Sequence, residues 1–201
     1  MTRELQPKVE IIAGFCNNAA RRQWHSRAEL LERRHTTRLV RKHPLSSRPD
    51  PQIIAIASDH AGFDMKVALA EWMRTQGHDV QDLGPDNTLS VDYPDYGYRL
   101  AAVIASGGAR FGVLVCGSGI GISIAANRNP GVRCAQVSEN LSARLARSHN
   151  DANVIAFGAR LIGPDQARDC LAAFLAEPFL GDRHTARVDK LGAPHLAKEP
   201  A

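Results

Sequence analysis

Residues 110–127 are the most constraining stretch of the chain, because an apolar run leads there into a glycine-rich turn and then into small residues. The run FGVLVC, residues 111–116, is typical of a strand buried on both faces. The turn GSGIG, residues 117–121, follows, and residues 122–127 are predicted to start a helix. A strand buried on both faces indicates a parallel sheet with helices on each side.

The same stretch predicts a site for an anion. Glycines let backbone N–H groups approach a ligand closely, and the helix dipole favours negative charge at a helix N-terminus. Cys116 stands at the carboxyl end of the strand, where ligands bind in open α/β sheets. Its thiol is placed to take a proton from a carbon whose oxygen the loop holds. A small buried core cysteine fits the same position.

Two nucleotide-binding motifs are not matched by the glycine turn. GSGIG is not Gly-x-Gly-x-x-Gly, and it follows a middle strand instead of the first. The chain also has no Gly-Lys-Ser/Thr sequence after a glycine loop, which excludes a P-loop.

Composition limits the class of protein further. The four cysteines, at positions 16, 116, 134 and 170, form no Cys-x-x-Cys pair, which argues against a zinc site and for a reducing, cytoplasmic location. No apolar run reaches 18 residues, so no membrane span is expected. The length of 201 residues fits one domain plus an appendage.

The net charge of +4 is unevenly distributed. Residues 1–50 hold 11 Lys and Arg against 5 Asp and Glu, whereas the rest of the chain holds 14 against 16. We therefore expect a basic N-terminal extension and linker over 1–51, with a helix over 28–40, and a globular domain over 52–201. The extension fits a nucleic-acid arm, a targeting peptide or translation from upstream of the true start, and an extension without catalytic duty is the simplest interpretation. Because the globular part is not basic, nucleic acid is not an expected partner.

From residue 52 onward, apolar runs alternate with helical periodicity. Strands are predicted at 53–57, 79–83, 111–116, 132–137 and 153–157. Helices are predicted at 63–76, 96–106, 139–148, 164–175 and 184–191, besides the one that starts at 122, and Ser138 is the expected N-cap of the helix over 139–148. This alternation predicts an α/β fold, a three-layer sandwich with a five-stranded parallel sheet.

In such a fold the loops that follow the strands meet at one edge of the sheet. The pattern predicts that this edge gathers five features: Asp59-His60, Asp92-Tyr93, Cys116 with its glycine loop, His149-Asn150 and Arg160. Arg183 and Arg187, four residues apart on the last helix, fit a phosphate clamp beside His184. Each residue also has a simpler explanation, such as a helix cap for Asp59 or a solvated face for the two arginines.

Five motifs over residues 52–191 resemble the ribose-5-phosphate isomerase B family, which includes galactose-6-phosphate isomerase subunits. They are SDHAG (58–62), DYP (92–94), LVCGSGIGISIAANR (114–128), SHNDANVIAFGAR (148–160) and DRHTARVD (182–189). The resemblance implies a Rossmann-like sheet and an enzyme that interconverts an aldose phosphate with its ketose isomer. It also implies no cofactor, no metal, and a homodimer or dimer of dimers with shared active sites.

Within this family the proton-transfer base is either a cysteine at the end of the central strand or a glutamate just after the glycine loop. The chain has Cys116 at the first position and Ile122 at the second, so it resembles the cysteine form. Thiols near a helix N-terminus ionise more readily than free thiols, which suits a base at this place.

The resemblance also implies roles for the remaining motif residues. His149 resembles the acid/base that opens the sugar ring, Ser118 assists the oxyanion, and Asp59 orients substrate hydroxyls. The expected substrate-binding residues are His60, Arg160, Arg183 and Arg187 for the phosphate, Tyr93 and Asn150 for the sugar, and the backbone of Gly117, Gly119, Ile120 and Gly121 for the oxyanion.

The expected reaction is the interconversion of D-ribose 5-phosphate and D-ribulose 5-phosphate. Two alternatives stay open at this point. One is an isomerase of another phosphorylated sugar with four or six carbons. The other is a sugar-phosphate-binding regulator that has lost catalysis, although a pure binder needs neither Cys116 nor His149.

Overall fold

The structure, a computed structural model, describes residues 51–193. The predicted helix over 28–40 and most of the basic extension lie outside this range, so the division of the chain at residue 51 stays a prediction. Among the described residues, no helix is both long enough and apolar enough to cross a membrane.

In the described part of the chain, five parallel strands form one sheet in the order β2-β1-β3-β5-β4. Their bounds are β1 Ile53–Ser58, β2 Asp79–Asp82, β3 Phe111–Cys116, β4 Cys134–Gln136 and β5 Val154–Gly158. All six residues of β3 are buried, as its unbroken apolar sequence predicts for the central strand. The prediction of a five-stranded parallel sheet is confirmed.

Within residues 51–193 there are six α-helices, most of which connect and cover the strands. They are α1 Phe63–Thr75, α2 Tyr93–Ala105, α3 Ile120–Ala126, α4 Asn140–Asn150, α5 Pro164–Ala176 and α6 Thr185–Gly192, with short 3-10 turns at His60–Gly62 and Asp182–His184. Helices α1, α4 and α5 pack on one face of the sheet, and α2 and α3 pack on the other. Each face of the sheet thus packs against helices through one apolar cluster. The sheet and the helices on its two sides form the three predicted layers.

Two helix starts differ from the sequence prediction. Helix α2 begins at Tyr93, three residues early, because Pro94 fits the first turn of a helix, where its missing N–H is not needed. The N-cap of α4 is Glu139 and not Ser138: the Glu139 carboxylate accepts hydrogen bonds from the backbone N–H groups of Leu141 at 2.6 Å and Ser142 at 2.7 Å. These bonds lower the pKa of Glu139.

The direction of the helices decides which edge of the sheet each loop reaches. In a parallel sheet every strand ends at the same edge, and each following helix returns the chain to the other edge. Helix α4 therefore ends at the amino edge, close to Asn153, whose carbonyl accepts a bond from Gly112 at the start of β3. The six residues of β3 separate the two edges by about 17 Å at an ordinary strand rise.

Candidate active site

A cavity of about 560 Å³ opens at the carboxyl edge of the sheet, beside the ends of β1, β3 and β5. It is lined by Asp59, His60, Ala61, Tyr93, Cys116, Gly117, Ser118, Ile120, Gly121, Arg160 and Leu161. Nine of these eleven residues are among those that the sequence assigned to the site. The strand ends and the start of α3 bring them together from four separate segments of the chain.

Cys116 lies at the base of this cavity, where its side chain is 4 % exposed. Its Sγ atom accepts a hydrogen bond from the backbone N–H of Gly119 at 3.0 Å. Gly119 has a φ of +77°, a left-handed conformation that glycine adopts without strain. A Cβ atom there would stand 2.9 Å from the carbonyl carbon of Phe157, so the turn has no room for a side chain. The glycine turn therefore presents an N–H donor to the sulfur.

Two further glycines let site side chains come close to the loop. A Cβ on Gly121 would stand 2.6 Å from the ring of Tyr93, which packs against the first turn of α3. A Cβ on Gly117 would stand 3.3 Å from the Arg160 guanidinium. The backbone N–H of Arg160 also donates to the Gly117 carbonyl at 3.0 Å, which extends the pairing of β3 and β5 beyond the strands. The aromatic ring of Tyr93 therefore packs at one end of the glycine turn, and the cation of Arg160 packs at the other end.

Asp59 and His60 enter the cavity from the end of β1. Asp59 is 7 % exposed, and its Oδ1 accepts the N–H of Gly62 at 2.9 Å, so its carboxylate caps the 3-10 turn as well as facing the cavity. The Nδ1 atom of His60 lies 3.2 Å from both the backbone N and the backbone O of Val91. Both side chains are therefore held in place by backbone contacts.

Ser118 lies in the middle of the glycine turn. Its Oγ accepts the N–H of Ile120 at 3.3 Å, so the hydroxyl lies at the start of α3. The side chain of Ile120 is 53 % exposed, and that of Leu161 across the cavity is 59 % exposed. The rim of the cavity is thus partly apolar.

His149 and Asn150 do not lie at this edge, and the prediction that groups them with the glycine loop is wrong. They form the last turn of α4, at the amino edge of the sheet. Arg147, two residues earlier, lines a separate cavity with Gln52 and Arg110 at the amino ends of β1 and β3. The pattern was misleading because the two residues end a helix, whereas the loops that meet Cys116 follow strands.

The arginines of the last helical segment also belong to the amino edge. Leu180 donates its N–H to the Ser148 carbonyl at 3.0 Å, which brings the turn Asp182–His184 beside α4. Arg183 approaches His184, with Nε 3.4 Å from Nε2. Burial, the neighbouring His149 and the positive charges of Arg183 and Arg187 together lower the pKa of His184. Both arginines therefore lie close enough to His184 to disfavour its protonated form.

The structure thus divides the predicted site into two groups of residues. We call them the thiol group (Asp59, His60, Tyr93, Cys116, Gly117, Ser118, Gly119, Ile120, Gly121 and Arg160) and the histidine group (His149, Asn150, Arg183, His184 and Arg187). Sequence analysis placed His184 near the arginines but missed its contact with His149, because the two are 35 positions apart and share no pattern. Within residues 51–193, no set of three or more His, Cys, Asp or Glu side chains is arranged to hold a metal ion.

The sequence profile of a family described as Ribose/Galactose Isomerase matches residues 54–191. The chain belongs to this family. It is an isomerase, and the resemblance inferred from its motifs is confirmed.

Two related proteins and one solved structure show how similar this chain is to known isomerases. Ribose-5-phosphate isomerase B of Escherichia coli is 41 % identical over 140 residues, which cover 70 % of this chain and 94 % of that protein. D-erythrulose-4-phosphate isomerase of Pectobacterium atrosepticum is also 41 % identical over 140 residues, covering 69 % and 92 %. The structure of ribose-5-phosphate isomerase B of Clostridium thermocellum superposes with a TM-score of 0.69 at 44 % identity, covering 70 % of this chain and 95 % of that one.

Proposed function

We propose that this isomerase interconverts D-ribose 5-phosphate and D-ribulose 5-phosphate through an enediolate, with Cys116 as the proton-transfer base. The observation that carries the proposal is the hydrogen bond from the Gly119 N–H to Sγ of Cys116 at the base of the cavity. This bond fixes the sulfur at the cavity, within reach of a substrate carbon, and the thiolate is the form of a cysteine that removes a proton. The names of the relatives from Escherichia coli and Clostridium thermocellum agree with this substrate.

The proton transfer needs no further reagent. The Cys116 thiolate removes the proton from C2 of the open-chain aldose, and the C–H electron pair forms the C1–C2 double bond as the carbonyl electrons move to O1. The N–H groups of the glycine turn stabilise the negative oxygen, with the Ser118 hydroxyl beside them. The thiol then returns the proton to C1, O2 loses its proton as the C2 carbonyl forms, and O1 gains one.

We further propose that a homodimer joins the thiol group of one subunit to the histidine group of its partner. His149, the proposed ring-opening acid/base, and the clamp of Arg183 and Arg187 lie at the other edge of the sheet from Cys116. One chain therefore cannot direct both groups at one small substrate, since the edges are about 17 Å apart. The exposed apolar side chains of Ile120 and Leu161 at the cavity, and of Ile124 one turn further along α3, support a covering subunit.

A four-carbon substrate is the second candidate. The relative from Pectobacterium atrosepticum is named for D-erythrulose 4-phosphate, and its identity to this chain equals that of the Escherichia coli relative. The overall identity therefore does not distinguish the two substrates. The preference for a four-carbon or a five-carbon substrate depends on how far the phosphate-binding side chains lie from Cys116 in the assembled site.

Turnover of a panel of aldose phosphates with four, five and six carbons tests the proposal. We expect the highest kcat/KM with D-ribose 5-phosphate, and loss of turnover of every substrate in Cys116→Ala. A higher kcat/KM with a four- or six-carbon sugar would replace the proposed substrate and keep the mechanism. Binding of sugar phosphates without turnover of any would indicate a non-catalytic regulator instead.

A further inference from the structure

Lys66 is a buried cation on the side of α1 that packs against the sheet. Its side chain is 1 % exposed, and its neighbours Met65 and Leu69 belong to the apolar core. Burial of an ammonium group is costly unless hydrogen bonds and an opposite charge compensate for the lost water. Nζ lies 2.7 Å from both carboxylate oxygens of Asp82 and 2.9 Å from the carbonyl oxygen of Pro85. The three donors of the ammonium therefore have three acceptors.

These acceptors connect Lys66 to the end of β1. Oδ1 of Asp82 also accepts the N–H of Gly84 at 2.9 Å, and the carbonyl of Gly84 accepts the N–H of Ser58 at 3.1 Å. Ser58 is the last residue of β1, and the next two residues are Asp59 and His60 of the thiol group. A continuous series of hydrogen bonds thus runs from the ammonium to the point where the chain enters the cavity.

A second connection passes along the loop after Pro85. Residues 86–90 are exposed, and the loop returns to the cavity at Val91, whose backbone N and O both lie 3.2 Å from Nδ1 of His60. The loop is thus held at Pro85 by Lys66 and meets His60 at Val91. Only five residues separate the two contacts, so the position that Lys66 gives to Pro85 limits where Val91 can meet His60.

We propose that Lys66 is a positioning residue that fixes the imidazole of His60 toward the phosphate of the substrate. The proposal rests on the proposed function, in which His60 binds that phosphate. Lys66 acts through its ion pair with Asp82, because the two side chains bind the turn at Gly84 and Pro85. This turn then positions the end of β1 and the loop to Val91. A pair that only stabilises the fold would have no effect on His60 in a folded protein.

The first test does not depend on turnover. In the full-length protein, Lys66→Met should raise the rate at which diethyl pyrocarbonate modifies His60 severalfold, measured by mass spectrometry of the peptide that contains it. Arg74→Met, which removes an exposed cation from the same helix, should leave that rate unchanged. An unchanged rate in folded Lys66→Met would overturn the inference, whatever the substrate of the enzyme is.

The second test separates positioning from stability. Replacing the pair by two apolar side chains, in Lys66→Met/Asp82→Leu, removes the buried Lys66 charge together with its more exposed partner Asp82, so neither charge is left unpaired. We expect the Tm to recover relative to Lys66→Met alone, while KM for the aldose phosphate stays about tenfold above that of the native enzyme. In a His60→Ala background the same double change should leave KM unaffected.

The outcomes distinguish this inference from the proposed function. A native KM in the double variant would show that the ion pair serves the fold alone and would overturn the positioning role. If the double variant does not fold, Asp82→Asn keeps the shape of the side chain and removes its charge, and its KM is compared with that of the native enzyme well below the Tm of both. Absence of turnover of any sugar phosphate by the native enzyme would overturn the proposed function and leave the His60 reactivity test valid.

Discussion

The imidazole rings of His149 and His184 stack with their centroids 4.3 Å apart and an interplanar angle of 10°. His184 is 7 % exposed, and burial together with the neighbouring His149, Arg183 and Arg187 lowers its pKa. A ring that resists protonation gives His149 a flat, neutral surface to rest on. We infer that the stacking fixes the orientation of the ring-opening histidine proposed here.

Removing that histidine should affect the two directions of the reaction unequally. His149→Ala should lower kcat/KM for D-ribose 5-phosphate, which is mostly cyclic, by about a hundredfold or more, as expected for loss of a general acid/base. Linear D-ribulose 5-phosphate should lose less, because it needs no ring opening. Initial rates in both directions give the loss of kcat/KM for each sugar phosphate. Equal losses would mean that His149 acts in proton transfer or that its removal damages the structure.

Cys116→Ala should abolish isomerisation and leave the affinity for the sugar phosphate nearly intact. The thiol acts in proton transfer, whereas cations and backbone amides supply the binding free energy of the ground state, so kcat should fall by at least about a thousandfold. Calorimetric titration with substrate measures the affinity. Cys134→Ala is the matched control, since this cysteine lies on β4, away from the cavity, and near-normal kcat in Cys116→Ala would reject the assignment of the base.

Mixing two impaired variants, with cyclic D-ribose 5-phosphate as the substrate, tests whether the active site is shared. When Cys116→Ala and His149→Ala exchange subunits, a mixed dimer has one site with both lesions and one site with neither. Activity should then rise above that of either variant alone. A mixed dimer should reach up to about half of the native activity, because one of its two sites is intact. No rise in activity, with exchange verified by an affinity tag on one variant, would mean that each chain forms its own site.

Deleting residues 1–50 should leave kcat/KM and the oligomeric state unchanged. All residues of the thiol and histidine groups lie at or after Asp59, and Pro49 and Pro51 lie where the sequence predicts a domain boundary. Kinetics and light scattering on the truncated protein provide the measurement. A large fall in kcat/KM would show that the extension reaches a site or an interface.

His78 should make the fold less stable in mild acid. Burial lowers its pKa in the folded protein, so below the unfolded value of about 6.5 the unfolded chain binds more protons. The stabilisation is fully present above that pH and is lost as pH falls from 6.5 toward the depressed folded pKa, by at most about 1.4 kcal/mol per pH unit. Urea unfolding at pH 7.5 and 5.5 measures the difference, which should shrink in His78→Gln. An undiminished difference would assign the acid sensitivity to other groups.

The amino-acid sequence by itself determined the central strand, the glycine turn and the residues that line the cavity around Cys116. These features depend on patterns of a few consecutive residues: an unbroken apolar run makes a buried strand, and glycine permits the left-handed turn at Gly119. The loops after β1, β3 and β5 then meet, because all strands of a parallel sheet end at one edge.

Only the tertiary structure decided where the histidine group lies and what holds His60. His149 belongs to the other edge because α4 continues to Asn150 before the chain turns into β5. Its contact with His184, and the contacts of Lys66 with Asp82 and Pro85, join residues that are 16 to 35 positions apart. Such contacts depend on how helices pack across the sheet, and burial and charge pairing select them in three dimensions without leaving a periodic pattern in the sequence.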